Sequence, residues 1–166
     1  SLNILKTNFG YKNFVAIILG SDQGRDAYKK KLLRLVEQHR LKNDVIFLEH
    51  ANSMPVAYSI ANVVVSASIE PEAFGRVSVE AQSMKRPIIA SDIGGSKETI
   101  IDNRTGLLFK SEDPKSLSEK IDNIFRSDDT TLNAMGNSGR KNVEQKFNVE
   151  KMCFSTYSEY KKLINA

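Results

Sequence analysis

Short apolar runs alternate with amphipathic stretches along this chain. Phe14-Val-Ala-Ile-Ile-Leu19 is partly β-branched, ends at Gly20 and reads as a buried strand. After the polar turn Gly20-Ser-Asp-Gln-Gly24, Tyr28, Leu32, Leu35, Val36 and His39 recur at helical spacing, with Lys30, Lys31 and Arg34 off that stripe. Val45–Leu48 and Val63–Val65 predict two further strands, separated by a short helix over Pro55–Ile60 with Ser53 as a nearby cap. A helix over about Phe74–Met84 and a fourth strand over Pro87–Ala90 follow, the strand opening on a residue whose missing N–H is tolerated there. Gly94-Gly95 marks a turn before a short helix over Lys97–Ile101, and Thr105–Phe109 reads as a last edge strand. Asp113-Pro114 starts a helix with Leu117, Ile121, Ile124 and Phe125 on one face, a capping carboxylate followed by proline at the first helical position. Two more helices are expected near Thr131–Lys146 and Val149–Ile164.

Strands alternating with helices imply a doubly wound parallel sheet of Rossmann-like α/β class, joined by right-handed crossovers. Ligands of such sheets bind beyond the carboxyl ends of the strands, which singles out loops 20–24, 49–54, 66–75 and 91–96. At 166 residues, with 40% hydrophobic and 27% charged residues, the chain has apolar surface enough for one core and is not a disordered segment. Its longest apolar run, Phe14–Leu19, falls far short of the roughly 18–20 residues that cross a bilayer. Cys153 has no partner cysteine, so no internal disulfide framework exists and a reducing, cytoplasmic setting is expected.

The net charge of +4 arises between Arg25 and Asp44, where seven basic residues meet three acidic ones. Such a helix suits a solvated face, a phosphate or the anionic inner face of a membrane, the last implying peripheral association of the whole protein. An interleaved set of aromatic residues is lacking, which argues against nucleic acid as a partner. His39, His50 and Cys153 share no metal-ligand spacing, so neither metal nor cofactor is expected.

Gly20-Ser-Asp-Gln-Gly24 is neither a dinucleotide fingerprint nor a P-loop, and reads equally as a plain turn or as a phosphate lining. The loop after the third strand is richer. Glu72 lies in it, Glu80 falls about two turns into the next helix, and Phe74, Gly75, Arg76 and Val77 occupy the first turn between them. The free N–H groups and positive dipole end of that turn suit a phosphate, and a glycine there admits close approach. Glu80 is then placed to accept hydrogen bonds from vicinal hydroxyls. The alternative is an ordinary helix-start acid at Glu72 and a solvent-facing one at Glu80.

Glu72-Ala-Phe-Gly-Arg-Val-Ser-Val-Glu80 resembles the E-x7-E segment of retaining glycosyltransferases of the glycosyltransferase-B fold, above all glycosyltransferase family 4, the group 1 transferases. Pro87–Ile100, Thr105–Phe109 with Asp113-Pro114, and Asn148–Ile164 resemble that family's succeeding stretches in order. The resemblance implies the C-terminal, donor-binding domain, with residues 1–147 as its α/β body and 148–166 as the closing helix. It implies that Glu72 is catalytic beside the donor sugar, that Glu80 holds the ribose, and that the backbone of Phe74, Gly75, Arg76 and Val77 meets sugar and diphosphate. Gly20 and His50 would border the nucleotide. The substrate implied is a nucleoside diphosphate sugar, the acceptor a glycan or a lipid-linked molecule in surface polysaccharide or glycoconjugate synthesis.

Two departures stand out. Arg86 replaces the family's usual glycine, and the cationic diphosphate clamp and acceptor domain lie outside these 166 residues. The fragment is therefore expected to be inactive alone. A non-catalytic nucleotide-sugar-binding module is the alternative, and half of a nucleotide-sugar epimerase a weaker one.

Overall fold

The computed structural model describes residues 1–22, 24 and 26–164, so Gln23 of the first turn and Arg25 of the basic segment lie outside the described residues. The order is α1 (Leu2–Thr7), β1 (Ala16–Leu19), α2 (Asp26–Gln38), β2 (Val45–Leu48), α3 (Met54–Ile60), β3 (Val64–Ser66), α4 (Arg76–Ser83) and β4 (Ile88–Ser91). Then come α5 (Ser96–Thr99), β5 (Leu107–Phe109), α6 (Pro114–Arg126), α7 (Asp129–Lys146) and α8 (Val149–Ile164). The strand–helix alternation and the parallel pairing are as expected, and β5 is an edge strand. The helix α1 was not legible in the sequence.

The strands form two parallel sheets. In one, β1 pairs with β2, Ala16 opposite Val45; in the other the order is β3-β4-β5, with Val64 opposite Ile88 and Ile89 opposite Leu107. The larger sheet is covered on both faces, and its central strand β4 is buried at every position, three apolar residues followed by Ser91. Ile89 points to one side and joins Leu5 of α1, Phe109 and the α6 stripe Leu117, Ile121 and Ile124. Ile88 and Ala90 point to the other and join Tyr58, Ala81 and Ile100.

The expectation that the first strand is buried is corrected. Ile17 and Ile18 of β1 are exposed, and α2 has no buried residue despite its apolar stripe. A parallel strand is buried only with apolar cover on both faces. Tyr28 of α2 stays 58% exposed, so that cover is not supplied here. The closing helix α8 likewise buries none of its described residues, leaving Met152, Phe154, Tyr157 and Tyr160 exposed. Among the described residues no helix is long and apolar enough to cross a membrane.

Asp113 caps α6 as its sequence implies, accepting from the N–H groups of Lys115 and Ser116, each at 3.0 Å, ahead of Pro114. Donation from the Ser116 amide chiefly, helped by the Lys115 amide, holds this carboxyl below the usual aspartate range. A depressed folded-state pKa contributes stability above the unfolded pKa and loses it as pH falls through the folded one. Asp113→Ala is therefore expected to lower the melting temperature at neutral pH and to melt with the wild type once the pH is below both values. A melting difference that persists unchanged to that acidity would assign the effect to packing.

Candidate functional site

The site is built on the loop between β3 and α4. Gly75 closes this loop in the left-handed region, at φ 78° and ψ 58°, and stands immediately before α4 with no side-chain cap on the helix. A residue with a Cβ is strained there, whereas glycine lets the chain turn sharply out of the loop. The uncapped first turn leaves peptide N–H groups pointing away from the helix at its positive end. Val77 is partly buried and packs against the apolar cluster of Tyr58, Ala81, Ile88, Ala90 and Ile100.

Glu72 is exposed, and the Ser68 hydroxyl bonds its Oε1. The Glu72 backbone is anchored from the opposite loop, where the Gly95 N–H donates to its carbonyl at 2.8 Å. Phe74 stacks edge-on against Phe147, the residue that ends α7, with ring centroids 5.6 Å apart. Loops 66–75 and 91–96, both at carboxyl ends of strands, therefore form one packed unit. On α4, Glu80 is held from two sides. The Arg76 guanidinium donates to Oε1 at 3.1 Å, and the Tyr58 hydroxyl of α3 donates to Oε2 at 2.8 Å. Burial, together with the bond to Glu80, pushes the Tyr58 phenol well above the ordinary tyrosine range, so it remains a donor at any working pH.

Glu72, Phe74 and Gly75 thus share a loop against Gly94–Ser96, and Arg76 and Glu80 share the exposed side of α4. Gly20 ends β1, its N–H donating to the Leu48 carbonyl at 2.9 Å, and His50 is exposed in the loop after β2. Among the described residues no hydrogen bond or ion pair joins Gly20 or His50 to the 66–80 segment. A shallow depression of about 770 Å³ lies elsewhere, lined by Lys85, Asn137, Arg140, Lys141, Glu144 and Gln145. It sits at the carboxyl end of α4, where the helix dipole disfavours an anion, and none of the expected site residues lines it. No cluster of three or more metal-ligating side chains occurs among the described residues.

Tyr58 and Ser68 were not singled out from the sequence. Tyr58 reads there as one residue of a short helix, and only the folded chain brings it to a glutamate 22 positions away. Arg86, the departure from the expected glycine, spans from the start of β4 to the end of α3, its Nη2 donating to the Ser59 carbonyl at 2.6 Å.

Parallel strands, helices between them, and a glycine-opened helix flanked by two carboxylates define a doubly wound α/β domain with its ligand loops at the strand ends. Comparison with known proteins makes the class specific. Residues 2–142 match the family model described as glycosyl transferases group 1, and the chain belongs to that family. The capsular polysaccharide biosynthesis glycosyltransferase CapM of Staphylococcus aureus is 33% identical over 104 residues, 63% of this chain and 27% of CapM. A glycosyltransferase of Rickettsia africae superposes with a TM-score of 0.88 at 27% identity, covering 98% of this chain and 44% of that one. Anabaena HepE, solved in complex with UDP-glucose, gives 0.81 at 25% identity over 88% of this chain and 41% of HepE. The chain thus spans less than half the length of each of these relatives.

Proposed function

We propose that this chain is the donor-binding domain of a retaining glycosyltransferase. The whole protein would move a sugar from a nucleoside diphosphate sugar to a glycan or lipid-linked acceptor, in surface polysaccharide or glycoconjugate synthesis in the cytoplasm. The observation that carries this reading is the 72–80 segment: a left-handed glycine opens an uncapped helix between two glutamates at the carboxyl end of a strand. The UDP-glucose complex of HepE supports the ligand class.

In this reading the α4 N–H groups receive the diphosphate, for which an uncapped helix start is suited without a metal ion. Glu72 stands beside the sugar, where a carboxylate stabilises positive charge developing at the anomeric carbon. Glu80 accepts the ribose hydroxyls, with Arg76 giving up Oε1 to them. Transfer also requires the cationic clamp and an acceptor domain, which the 166 residues do not include. Positioning of the acceptor alone is worth about 7–11 kcal/mol of barrier, so the isolated chain binds the donor without transferring sugar.

The test is calorimetry with UDP, ADP and GDP. Glu80→Ala should weaken binding of the preferred nucleotide roughly tenfold, because hydrogen bonds to a charged group are worth about 1.5–3 kcal/mol. Equal affinity of the wild type for ribose and 2′,3′-dideoxyribose nucleotides would remove Glu80 from the ribose. Acceptor-dependent glycoside formation by this chain alone would overturn the half-enzyme reading.

A further inference from the structure

Glu80 has two partners of opposite character. Tyr58, which holds Oε2, is 6% exposed and is fixed in the apolar cluster with Ala81, Ile88, Ala90 and Ile100. Arg76, which holds Oε1, has a side chain that is 84% exposed, and the Glu80 side chain itself is 34% exposed. One oxygen is therefore tied to the core, and the other to a surface side chain that solvent or a ligand can displace. Exposed ion pairs on a helix are weak, whereas a bond from a buried, rigid phenol to a carboxylate is charge-assisted and costly to lose. The two bonds thus fall one on each oxygen of the carboxylate.

We propose that Tyr58 is a positioning residue for the donor site: its hydroxyl pins Oε2 of Glu80 and thereby sets Oε1 to receive ligand hydroxyls in place of Arg76. The inference rests on the reading of Glu80 as the ribose acceptor. Without the phenol, the carboxylate is free to rotate and to take Arg76 on both oxygens, a fork that suits a guanidinium and leaves less acceptor capacity for a ribose. The ligand then loses a preorganised acceptor while every other contact is kept.

The experiment is calorimetry of the wild type, Tyr58→Phe, Glu80→Ala and the double variant. Each is titrated with whichever of UDP, ADP and GDP binds best and with its 2′,3′-dideoxy counterpart. Tyr58→Phe should cut the preference for ribose by about threefold or more, and leave the dideoxy affinity unchanged, since only the charge-assisted bond is removed. In the Glu80→Ala background the same change should do nothing further, the signature of two residues acting as one unit. Glu80→Asp keeps Tyr58 in place but withdraws the carboxylate by one methylene, and should reduce the preference similarly. If Tyr58→Phe does not fold, Arg76→Ala is the second variant: with Oε2 still pinned by the phenol the ribose preference should be kept or raised, and its loss would overturn the pinning. Equal loss of ribose and dideoxyribose affinity in Tyr58→Phe would make Tyr58 a packing residue and overturn the proposal. So would a ribose preference retained in Tyr58→Phe while Glu80→Ala abolishes it, and that outcome leaves Glu80 on the ribose. A wild type without ribose preference overturns the Glu80 assignment and the role of Tyr58 together.

Discussion

Gly95→Ala is expected to lower the melting temperature by about 2–12 °C and to weaken nucleotide binding. A Cβ at position 95 would lie 2.5 Å from the Phe74 carbonyl carbon and 2.6 Å from its oxygen, closer than real Cβ atoms come. Both contacts are backbone atoms, so no side chain can rotate away and the 72–75 loop itself has to move. Overpacking of this kind costs about 1–3 kcal/mol, and a domain of this length loses about 2–4 °C per kcal/mol. The displacement also pulls on the Gly95 N–H to Glu72 carbonyl bond, which carries the proposed catalytic carboxylate. Gly75→Ala is the internal control. Its added Cβ would find Ser96 atoms no nearer than 3.6 Å, ordinary contact, so only the left-handed φ of 78° is penalised. That amounts to about 1–2 kcal/mol without a collision. Thermal melts and UDP titration of both variants are the measurement, and a Gly95→Ala chain melting with the wild type would show that the two loops are not packed as described.

Asn142→Leu should destabilise the chain by about 2–3 kcal/mol through a different mechanism, the orphaning of a buried acceptor. Gln82 is fully buried in α4, donating from Nε2 to the carbonyls of Ser78 and Thr99 at 3.1 and 3.0 Å. Its own Oε1 takes the Nδ2 of Asn142 from α7 at 3.1 Å, and Asn142 also donates to the Thr99 carbonyl. Three elements, α4, α5 and α7, are thereby joined through side-chain amides that water does not reach. Leucine has about the right volume for the space but no donor, so Gln82 Oε1 is left unpaired. Replacing Gln82 by leucine as well removes that orphaned oxygen but takes both amide donors from the Thr99 carbonyl. The double variant should therefore fall short of the sum of the single changes only by the worth of the Gln82–Asn142 bond. Urea unfolding of the four chains reads this directly. Additive losses would mean that the amides act as independent packing groups.

Several features rest on local pattern and were legible without a fold. β4 reads as a strand over Pro87–Ala90, and it forms over Ile88–Ser91 with Ile88, Ile89 and Ala90 all fully buried. The start of α6 is set by Asp113-Pro114, a cap whose partners lie two and three residues ahead. The E-x7-E segment was readable for the same reason: its glycine, its helix start and its two carboxylates fall within nine consecutive residues. One feature misled, and another has a second role that local pattern does not show. The stripe Tyr28, Leu32, Leu35, Val36 and His39 has the period of a core-facing helix, yet periodicity states only which residues share a face and not whether anything covers it. Gly94-Gly95 read as a turn, and its second role as the seat of the Phe74 backbone has no local signature.

By itself, the sequence determined the order and type of the elements from β1 onward, the parallel α/β class, the capped start of α6, and the position of the two glutamates, whereas Ser53, read as a cap of α3, makes no side-chain cap bond. The features so determined depend on side-chain period, on missing donors at proline and on caps reaching two or three residues, all interactions that close within a few positions. Only the tertiary structure decided that β1 and β2 form a separate, poorly covered sheet, that Gly95 supports the Glu72 loop, and that Tyr58 holds Glu80. Each of these brings together residues about 20 or more positions apart, whose proximity is set by strand pairing and packing, so no window of sequence contains both partners in a recognisable pattern.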